Sequence, residues 1–262
     1  MNTTKKITIL QEPSEKNPFV IIYKPSGMPT APLSVGEYSA LTQTVECFPA
    51  IKKVIGRKII EYGLLHRIDT ETAGIILIAA TQSAYDSIAQ AQADGLFVKE
   101  YAAECNLAFS NKLIGFCESP YSPQTVQECI SNCKSINVIS SFRYYGLHHS
   151  AVRPVVAQDS NTAALKKAEK GLYETEITFL PNKAKATADS SLPISVDCKI
   201  KKGFKHQVRC HLAWIGVPVK GDKVYNPQCT EREQFCFKAV SFSFPHPLTH
   251  KTVYFELPSD LN

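Results

Sequence analysis

The sequence of 262 residues lacks any apolar run that approaches the length of a membrane span. Its first residues, MNTTKKITILQEPSEKNPF, lack an apolar core followed by a small-residue cleavage site, so no secretory signal is predicted. Together these absences predict a cytoplasmic protein with no membrane partner.

The sequence also lacks the cysteine spacing of a metal site or of a disulfide framework. Its nine cysteines are an odd number, and no CxxC pair occurs among them. His206 and His211 are five residues apart, which is not the i, i+4 spacing that places two ligands on one helical face. The cysteines are therefore predicted to be reduced thiols, and no metal site is expected.

A strong charge of either sign is absent as well. Lys and Arg number 29 against 24 Asp and Glu, a net charge of +5. This mild excess permits a nucleic-acid partner, whose phosphates attract a basic surface, but does not require one. With 44% hydrophobic and 20% charged residues, the composition is that of a globular protein of one or two domains.

The hydrophobic pattern predicts more strands than helices. Thr81 and Gly95 are predicted to cap a helix between them. Residues 39–55 could be helical, but Pro49 would break or kink any such helix, and residues 117–135 are predicted to be a loop. A short helix is expected between Gly203 and Gly216. The predicted strands include FVIIYK, GIILIAA, LFVKEYAAEC, GLYETEITFL, the apolar part of ADSSLPISVDCKI, and a C-terminal hairpin of FCFKAVSFSFPHP with KTVYFEL. Strands and helices do not alternate regularly, so the fold class is predicted to be α+β with a large, mixed, mainly antiparallel sheet.

One segment sets ionisable residues against a very apolar strand. In GLLHRIDTETAGIILIAA, the residues His66, Arg67 and Asp69 immediately precede the aliphatic run. A carboxylate at the edge of a dry core is costly unless it is paired, and such an arrangement more often indicates chemistry than architecture.

Four blocks resemble one family, the RluA-type pseudouridine synthases. HRIDTETAG resembles their HR-[LI]-D-x-x-T-[SA]-G signature, and KEYAAE resembles their K-x-Y-x-A strand. KGFKHQVRCHLAWIGVPVKGDKVYN resembles G-R-x-H-Q-[IL]-R-x-H-x-x-x-x-G-x-P-[IL]-x-G-D-x-x-Y, and FVIIYKPSGMPT resembles V-x-N-K-P-x-G-x-P. The Arg-rich segment FRYYGLHHSAVRPV is similar to one found in many members. The blocks follow the order of the family and cover most of residues 18–262.

The resemblance implies a fold and a domain organisation. The implied fold is a bent, mainly antiparallel sheet flanked by helices and loops. Residues 1–18 are expected to be a flexible lead, too short for a separate RNA-binding domain. Residues 19–262 are expected to be the catalytic domain, in which residues 106–170 are a variable middle segment.

The resemblance also implies a reaction, in which the bond from uracil nitrogen to ribose breaks and the base rejoins through carbon. Asp69 would be the catalytic carboxylate, acting as nucleophile or as base toward the sugar. Arg209 would pair with Asp69 bidentately and hold its pKa down. Tyr101 would stack on the uracil and is a candidate for the final proton removal, and Val208 would line the base pocket. No cofactor is expected, because the reaction only replaces the bond from nitrogen to ribose by a bond from carbon to ribose.

The target base must leave its stack, and the resemblance implies that Arg67 fills the vacated gap. Basic side chains would hold phosphates. The candidates for RNA binding are Arg67, His66, Lys24, Lys99, Lys205, His206 and Val208, with Lys202 and Arg143 as further phosphate contacts. The expected partner is a structured RNA, ribosomal or transfer RNA, bound by a monomer. In one departure from the family, Gly203-Phe204 stands where Gly-Arg is preferred, which removes a cation.

Two other functions are compatible with parts of the sequence. A non-catalytic module that binds RNA or assists its folding could have the same fold as the enzyme. In that case Asp69→Asn would leave the effect of the protein on RNA intact. A zinc-dependent deaminase or hydrolase would use the Cys and His residues, but H-x-E with P-C-x-x-C is absent. Taken singly, Asp69 with Arg67 would be an ordinary surface ion pair and Tyr101 plain sheet packing.

Overall fold

The structure, a computed structural model, describes residues 5–109, 113–159, 161–181 and 193–261. The chain divides into two compact units, one formed by residues up to Lys99 together with Lys238 onward, the other by Glu100–Phe237. The described strands are β1 Thr8–Gln11, β2 Phe19–Lys24, β3 Ala73–Ala79, β4 Val98–Cys105, β5 Ser135–Tyr145, β6 Ala151–Val155, β7 Tyr173–Phe179, β8 Ile194–Ile200, β9 Phe237–Pro245 and β10 Thr252–Glu256. The described α-helices are α1 Ala40–Cys47, α2 Gln82–Ala93, α3 Pro123–Ser131, α4 Thr162–Lys166 and α5 Gln207–Trp214.

The first unit is built around β3, whose sequence AGIILIA is buried at every position after the first. Such a uniformly apolar run fits a strand that is covered on both faces. β3 pairs antiparallel with β2 and parallel with the start of β9, while β10 pairs antiparallel with β9. Gly74 has φ +136°, and a Cβ there would lie 2.2 Å from the carbonyl oxygen of Ala239, so only glycine fits.

Helix α2 covers this sheet. It begins after Thr81, whose side chain accepts a hydrogen bond from the backbone of Ala84, as the sequence predicts. Its buried face includes Ala84, Tyr85 and Ile88, which join the core that contains Phe97 and the β9 phenylalanines. The break of the first helix at Pro49 is confirmed too, because α1 ends at Cys47 and a 3₁₀ turn follows.

The N-terminal lead is more ordered than predicted. Residues Thr8–Gln11 form β1, which pairs antiparallel with β2 through Thr8 opposite Tyr23 and Ile9 opposite Ile22. This pairing corrects the expectation of a flexible lead for these four residues. Residues 1–4 of the predicted lead lie outside the described residues.

The second unit contains the neighbouring strands β4, β8, β7, β5 and β6, in that order. The pairs β5–β6, β5–β7 and β7–β8 are antiparallel, and α5 packs against β6 and β7. Residues 188–192, the beginning of the segment predicted as a strand before Gly203, lie outside the described residues, whereas β8 follows directly.

One prediction in this unit is wrong. Residues 123–131 of the expected loop form α3, which has Ser122 as its N-cap and Pro123 in its first turn. Both are favoured starts of a helix, and the buried side chains of Val126 and Cys129 share one face. The fold class itself is confirmed, because the described strands pair mainly antiparallel and do not alternate regularly with the few helices.

Candidate active site

The loop that carries Asp69 is held by hydrogen bonds from the segment after β2. Thr30 Oγ1 donates to the carbonyl oxygen of Ile68 (2.7 Å) and accepts from its backbone nitrogen (3.3 Å). The backbone nitrogen of Gly27 donates to the carbonyl oxygen of Thr70 (2.7 Å). The residues on both sides of Asp69 are therefore fixed, and the Asp69 side chain itself is half-buried.

Lys24 is the centre of this attachment. Its ammonium is fully buried and donates to the carbonyl oxygens of Pro25 (3.1 Å), Met28 (2.7 Å) and Thr70 (3.0 Å). Burial lowers its pKa from 10.5 to about 8, and the negative charges of Asp69 and Glu71 oppose that shift. All three of its donors serve the backbone, so Lys24 holds the Asp69 loop in position, and its contact with a phosphate stays a prediction.

Arg67 lies on the surface beside a carboxylate that the sequence analysis did not single out. Its Nη1 is 3.3 Å from Glu61 Oε1, which also lies 3.8 Å from Lys58 Nζ. The Glu61 side chain is mostly buried, whereas that of Arg67 is 59% exposed. Arg67 is thus accessible, as an RNA contact requires, and Glu61 orients it.

His66 is a core residue. Its Nε2 accepts a hydrogen bond from the backbone of Leu77 (3.1 Å), and its ring packs edge-on against Phe97 and Phe242. Burial, reinforced by the charge of Lys99, lowers its pKa from 6.5 to about 3. A buried neutral imidazole offers no charge to a phosphate, and the expected contact of His66 with RNA stays a prediction.

Strand β4 alternates as the sequence predicts, with Lys99, Tyr101 and Ala103 on its buried side. The ring of Tyr101 stacks on Phe237, with centroids 5.1 Å apart and planes 9° apart, and its contact with a uracil stays a prediction. Lys99 lies over Phe97 at 5.1 Å, and burial lowers its pKa to about 8. The expected contact of Lys99 with RNA stays a prediction.

In the second unit, Arg209 is held by Asp222. Arg209 Nε donates to Asp222 Oδ2 (2.7 Å) and Nη2 donates to Oδ1 (2.8 Å), a bidentate pair in which the Asp222 side chain has 0% exposure. Oδ1 also accepts from the backbone nitrogens of Val224 (2.9 Å) and Tyr225 (3.2 Å). This edge of the guanidinium is therefore bonded to Asp222, and pairing of Arg209 with Asp69 stays a prediction.

The other predicted residues near α5 differ in accessibility. His206 has a left-handed backbone (φ +53°), and its Nδ1 lies 3.1 Å from Tyr225 Oη. Val208 is buried, as a pocket-lining residue should be. Lys205 is exposed, and its Nζ donates to the carbonyl oxygen of His149 (2.6 Å).

The residues that the sequence analysis missed are Glu61, Asp222 and Tyr225. Asp222 and Tyr225 are part of the block GDKVYN, and its match to G-D-x-x-Y in the family signature was the available signal. Burial raises the pKa of Tyr225, whose hydroxyl accepts from the backbone of Val152 (2.9 Å). The described residues contain no group of three or more His, Cys, Asp or Glu that could hold a metal ion. None of their helices is long and apolar enough to cross a membrane.

A strongly shifted pKa next to an acid, as at Lys24 beside the Asp69 loop, is more frequent at functional sites than elsewhere. Residues 18–214 match the family model of RNA pseudouridylate synthase. Because this match covers well over half of the chain, the protein belongs to that family, whose members are isomerases that act on RNA.

Among its relatives, ribosomal large subunit pseudouridine synthase D of Zymomonas mobilis is 25% identical over 259 residues, covering 94% of this chain and 69% of the relative. An uncharacterised RNA pseudouridine synthase of Bacillus subtilis, YjbO, is 25% identical over 202 residues, covering 76% of this chain and 56% of the relative. The chain thus spans between about half and about two thirds of the curated relatives it matches. Human RNA pseudouridylate synthase domain containing 1 has the same fold, with a TM-score of 0.61, 16% identity, and coverage of 100% of this chain and 89% of that one.

Proposed function

We propose that this protein isomerises specific uridines in a structured RNA to pseudouridine, with Asp69 as the catalytic carboxylate. The observation that carries the proposal is the fixed loop of Asp69, whose flanking carbonyls are bonded by Thr30, Gly27 and Lys24. A reacting carboxylate must be held in a narrow range of positions, and a loop bonded on both sides meets that need.

The reaction replaces one bond by another. The bond from N1 of uracil to C1′ of ribose breaks, the base turns, C5 bonds to C1′, the hydrogen of C5 leaves as a proton, and N1 takes up a proton. Asp69 acts on the ribose either as a nucleophile or as a base, and both routes use the ionised carboxylate. Electrons are conserved in this exchange, so the proposal includes neither a metal nor an organic cofactor.

Other residues have supporting roles in the proposal. Tyr101 stacks on the uracil, and Arg209 favours the ionised state of Asp69. Arg67, exposed and oriented by Glu61, fills the gap left by the everted base. Lys24 is a positioning residue, because it acts through the backbone around Asp69.

The RNA is proposed to be ribosomal or transfer RNA. The relative from Zymomonas mobilis is named for the large ribosomal subunit, which makes ribosomal RNA the first substrate to test. Lys205 and Arg67 are exposed cations that suit phosphates, and the net charge of +5 favours a polyanion.

The test uses RNA labelled with tritium at C5 of uracil and isolated from cells that lack the gene. The purified protein should release tritium into water, and Asp69→Asn should lower the rate by at least about a thousandfold. Asp86→Asn, an exposed acid on α2, is the matched control and should retain full activity. Equal release by the Asp69→Asn variant would refute the role of Asp69, and no release by the unaltered protein would favour a non-catalytic RNA-binding module.

A further inference from the structure

Five aromatic rings of the second unit form a continuous series of contacts, here called the aromatic column, in which three pairs are stacked and the pair of Tyr144 and Phe204 is tilted by 41°. Its members, from the surface inward, are His149, Tyr144, Phe204, Phe142 and His211. Successive ring centroids are 4.6, 5.6, 5.1 and 4.9 Å apart. Such distances are those of contacting aromatic pairs, so the column is one packed unit.

The inner end of the column is anchored in the core. His211 is fully buried, with Nε2 2.9 Å from Ser140 Oγ and Nδ1 2.8 Å from Thr175 Oγ1. Burial lowers its pKa from 6.5 to about 3, so this imidazole is neutral at physiological pH. Phe142 is buried as well, and these two rings have an ordinary packing role.

The outer end is different, because it lies on the surface. Tyr144 is 37% exposed, and His149 is exposed. His148 and His149 both adopt the left-handed backbone, with φ +51° and +58°, which is uncommon for residues with a Cβ. Lys205 fixes this turn by donating to the carbonyl oxygen of His149 (2.6 Å). The fold thus maintains an unfavourable turn that presents a ring to solvent, and strain of this kind is concentrated at functional sites.

Cations surround the exposed end. Lys201, Lys202 and Lys205 are exposed on the segment between β8 and α5, and Lys202 Nζ lies 5.0 Å from the centroid of the Tyr173 ring. Glu169 is an acid near this group, and its charge helps to raise the pKa of Tyr173. The exposed Lys202 and Lys205 favour a polyanion beside exposed rings, the combination that binds single-stranded nucleic acid.

We infer that the outer end of the aromatic column binds an unpaired base of the RNA substrate by stacking, while Lys202 and Lys205 hold the adjacent phosphates. This inference rests on the proposed function only in that the substrate is RNA. Phe204 belongs to the column at the position where the family signature prefers arginine, so this chain replaces an ionic contact by an aromatic one. The preferred RNA therefore has an unpaired nucleotide.

The first test compares two RNA probes, a hairpin with a loop of uridines and the fully paired duplex of the same stem. The hairpin should bind the unaltered protein more tightly. Tyr144→Ala should weaken hairpin binding by at least about fivefold, the lower end of the effect of removing one base–aromatic stack, and leave duplex binding unchanged. Tyr144→Phe, which keeps the ring, is the matched control and should bind as the unaltered protein does. His149→Asn, whose new residue tolerates the left-handed backbone, should weaken hairpin binding as well.

The second test measures how hairpin affinity depends on salt. Stacking releases no counterions, so Tyr144→Ala should keep the slope of log K against log salt concentration. Phe204→Arg adds one cation and should steepen that slope by about 0.7, the value for one phosphate contact on a single strand. Thermal unfolding of each variant checks that it is folded.

The outcomes separate this inference from the proposed function. If Tyr144→Ala and His149→Asn bind the hairpin as tightly as the unaltered protein, or if Tyr144→Phe weakens binding as much as Tyr144→Ala, the inference is overturned, even if tritium release continues. If the unaltered protein releases no tritium but binds the hairpin in a manner that depends on Tyr144, the inference stands and the proposed function fails.

Discussion

Replacing Lys24 by methionine should impair catalysis far more than folding. The ammonium of Lys24 bonds three backbone carbonyls, two in the segment after β2 and one, that of Thr70, next to Asp69. Methionine has a similar length and fills the same buried space without any donor. The link between the two segments is then reduced to the bonds made by Thr30 and Gly27.

Two opposing free energies determine the stability of Lys24→Met. The carbonyls of Pro25 and Met28 lose this donor, at about 1–3 kcal/mol each, whereas the Thr70 carbonyl still accepts from Gly27. In return the variant no longer buries an ammonium, whose pKa depression from 10.5 to about 8 corresponds to about 3 kcal/mol at pH 7. The net loss of stability should therefore be no more than about 3 kcal/mol, within the margin of a stable domain.

Activity should respond more strongly, because a shift of a reacting group by about 1 Å can lower the rate about a hundredfold. Tritium release under saturating RNA should therefore fall by one to two orders of magnitude in folded Lys24→Met. Lys16→Met, which removes an exposed lysine, is the control and should leave the rate unchanged. A folded Lys24→Met variant with the rate of the unaltered protein would refute the positioning role of Lys24.

Three further predictions concern stability. Asp222→Asn leaves the buried guanidinium of Arg209 without the negative charge of its partner and should lower the free energy of unfolding by about 3–5 kcal/mol. An unchanged midpoint of unfolding in urea would contradict the buried ion pair. The pKa of His66 is about 3 in the folded protein against an ordinary 6.5, so the unfolded state binds more protons between these pH values. The free energy of unfolding should therefore fall with falling pH by up to about 1.4 kcal/mol per pH unit. His66→Leu should remove that contribution, and an unchanged slope of the free energy of unfolding against pH would contradict the prediction. Gly74→Ala forces a Cβ to 2.2 Å from the Ala239 carbonyl oxygen and should prevent stable folding. Gly95→Ala has open space around it and should lower the free energy of unfolding by only about 1–2 kcal/mol. Equal melting temperatures of the two variants would refute this difference.

Elements with a strong hydrophobic period were predictable from the sequence. The apolar run of β3 and the capped helix α2 appear where the pattern places them. The strand β1 was not predictable, since TILQ is short and lies in a polar segment, and it is fixed only by pairing with β2. Helix α3 could have been recognised by its Ser-Pro start, but its small and polar composition obscured the period.

Side-chain environments were harder to predict than elements. Lys24, His66 and Lys99 are polar types that are usually exposed, and only the packed fold shows that they are buried. The partner of Arg209 could not be read either, because Asp222 is 13 residues away along the chain and is brought to it by the turn after α5. Motifs therefore identified the chemically important blocks, whereas the function of each polar side chain depended on burial and hydrogen bonding.

The most direct measurement of the central claim is a map of pseudouridines in the cellular RNA of three strains. One lacks the gene, one carries the unaltered gene, and one carries Asp69→Asn at matched protein abundance. The account predicts at least one uridine that is converted only in the strain with the unaltered gene. If the same sites are modified in all three strains, or if Asp69→Asn restores the missing site, the assignment of Asp69 as the reacting carboxylate of an RNA uridine isomerase is contradicted.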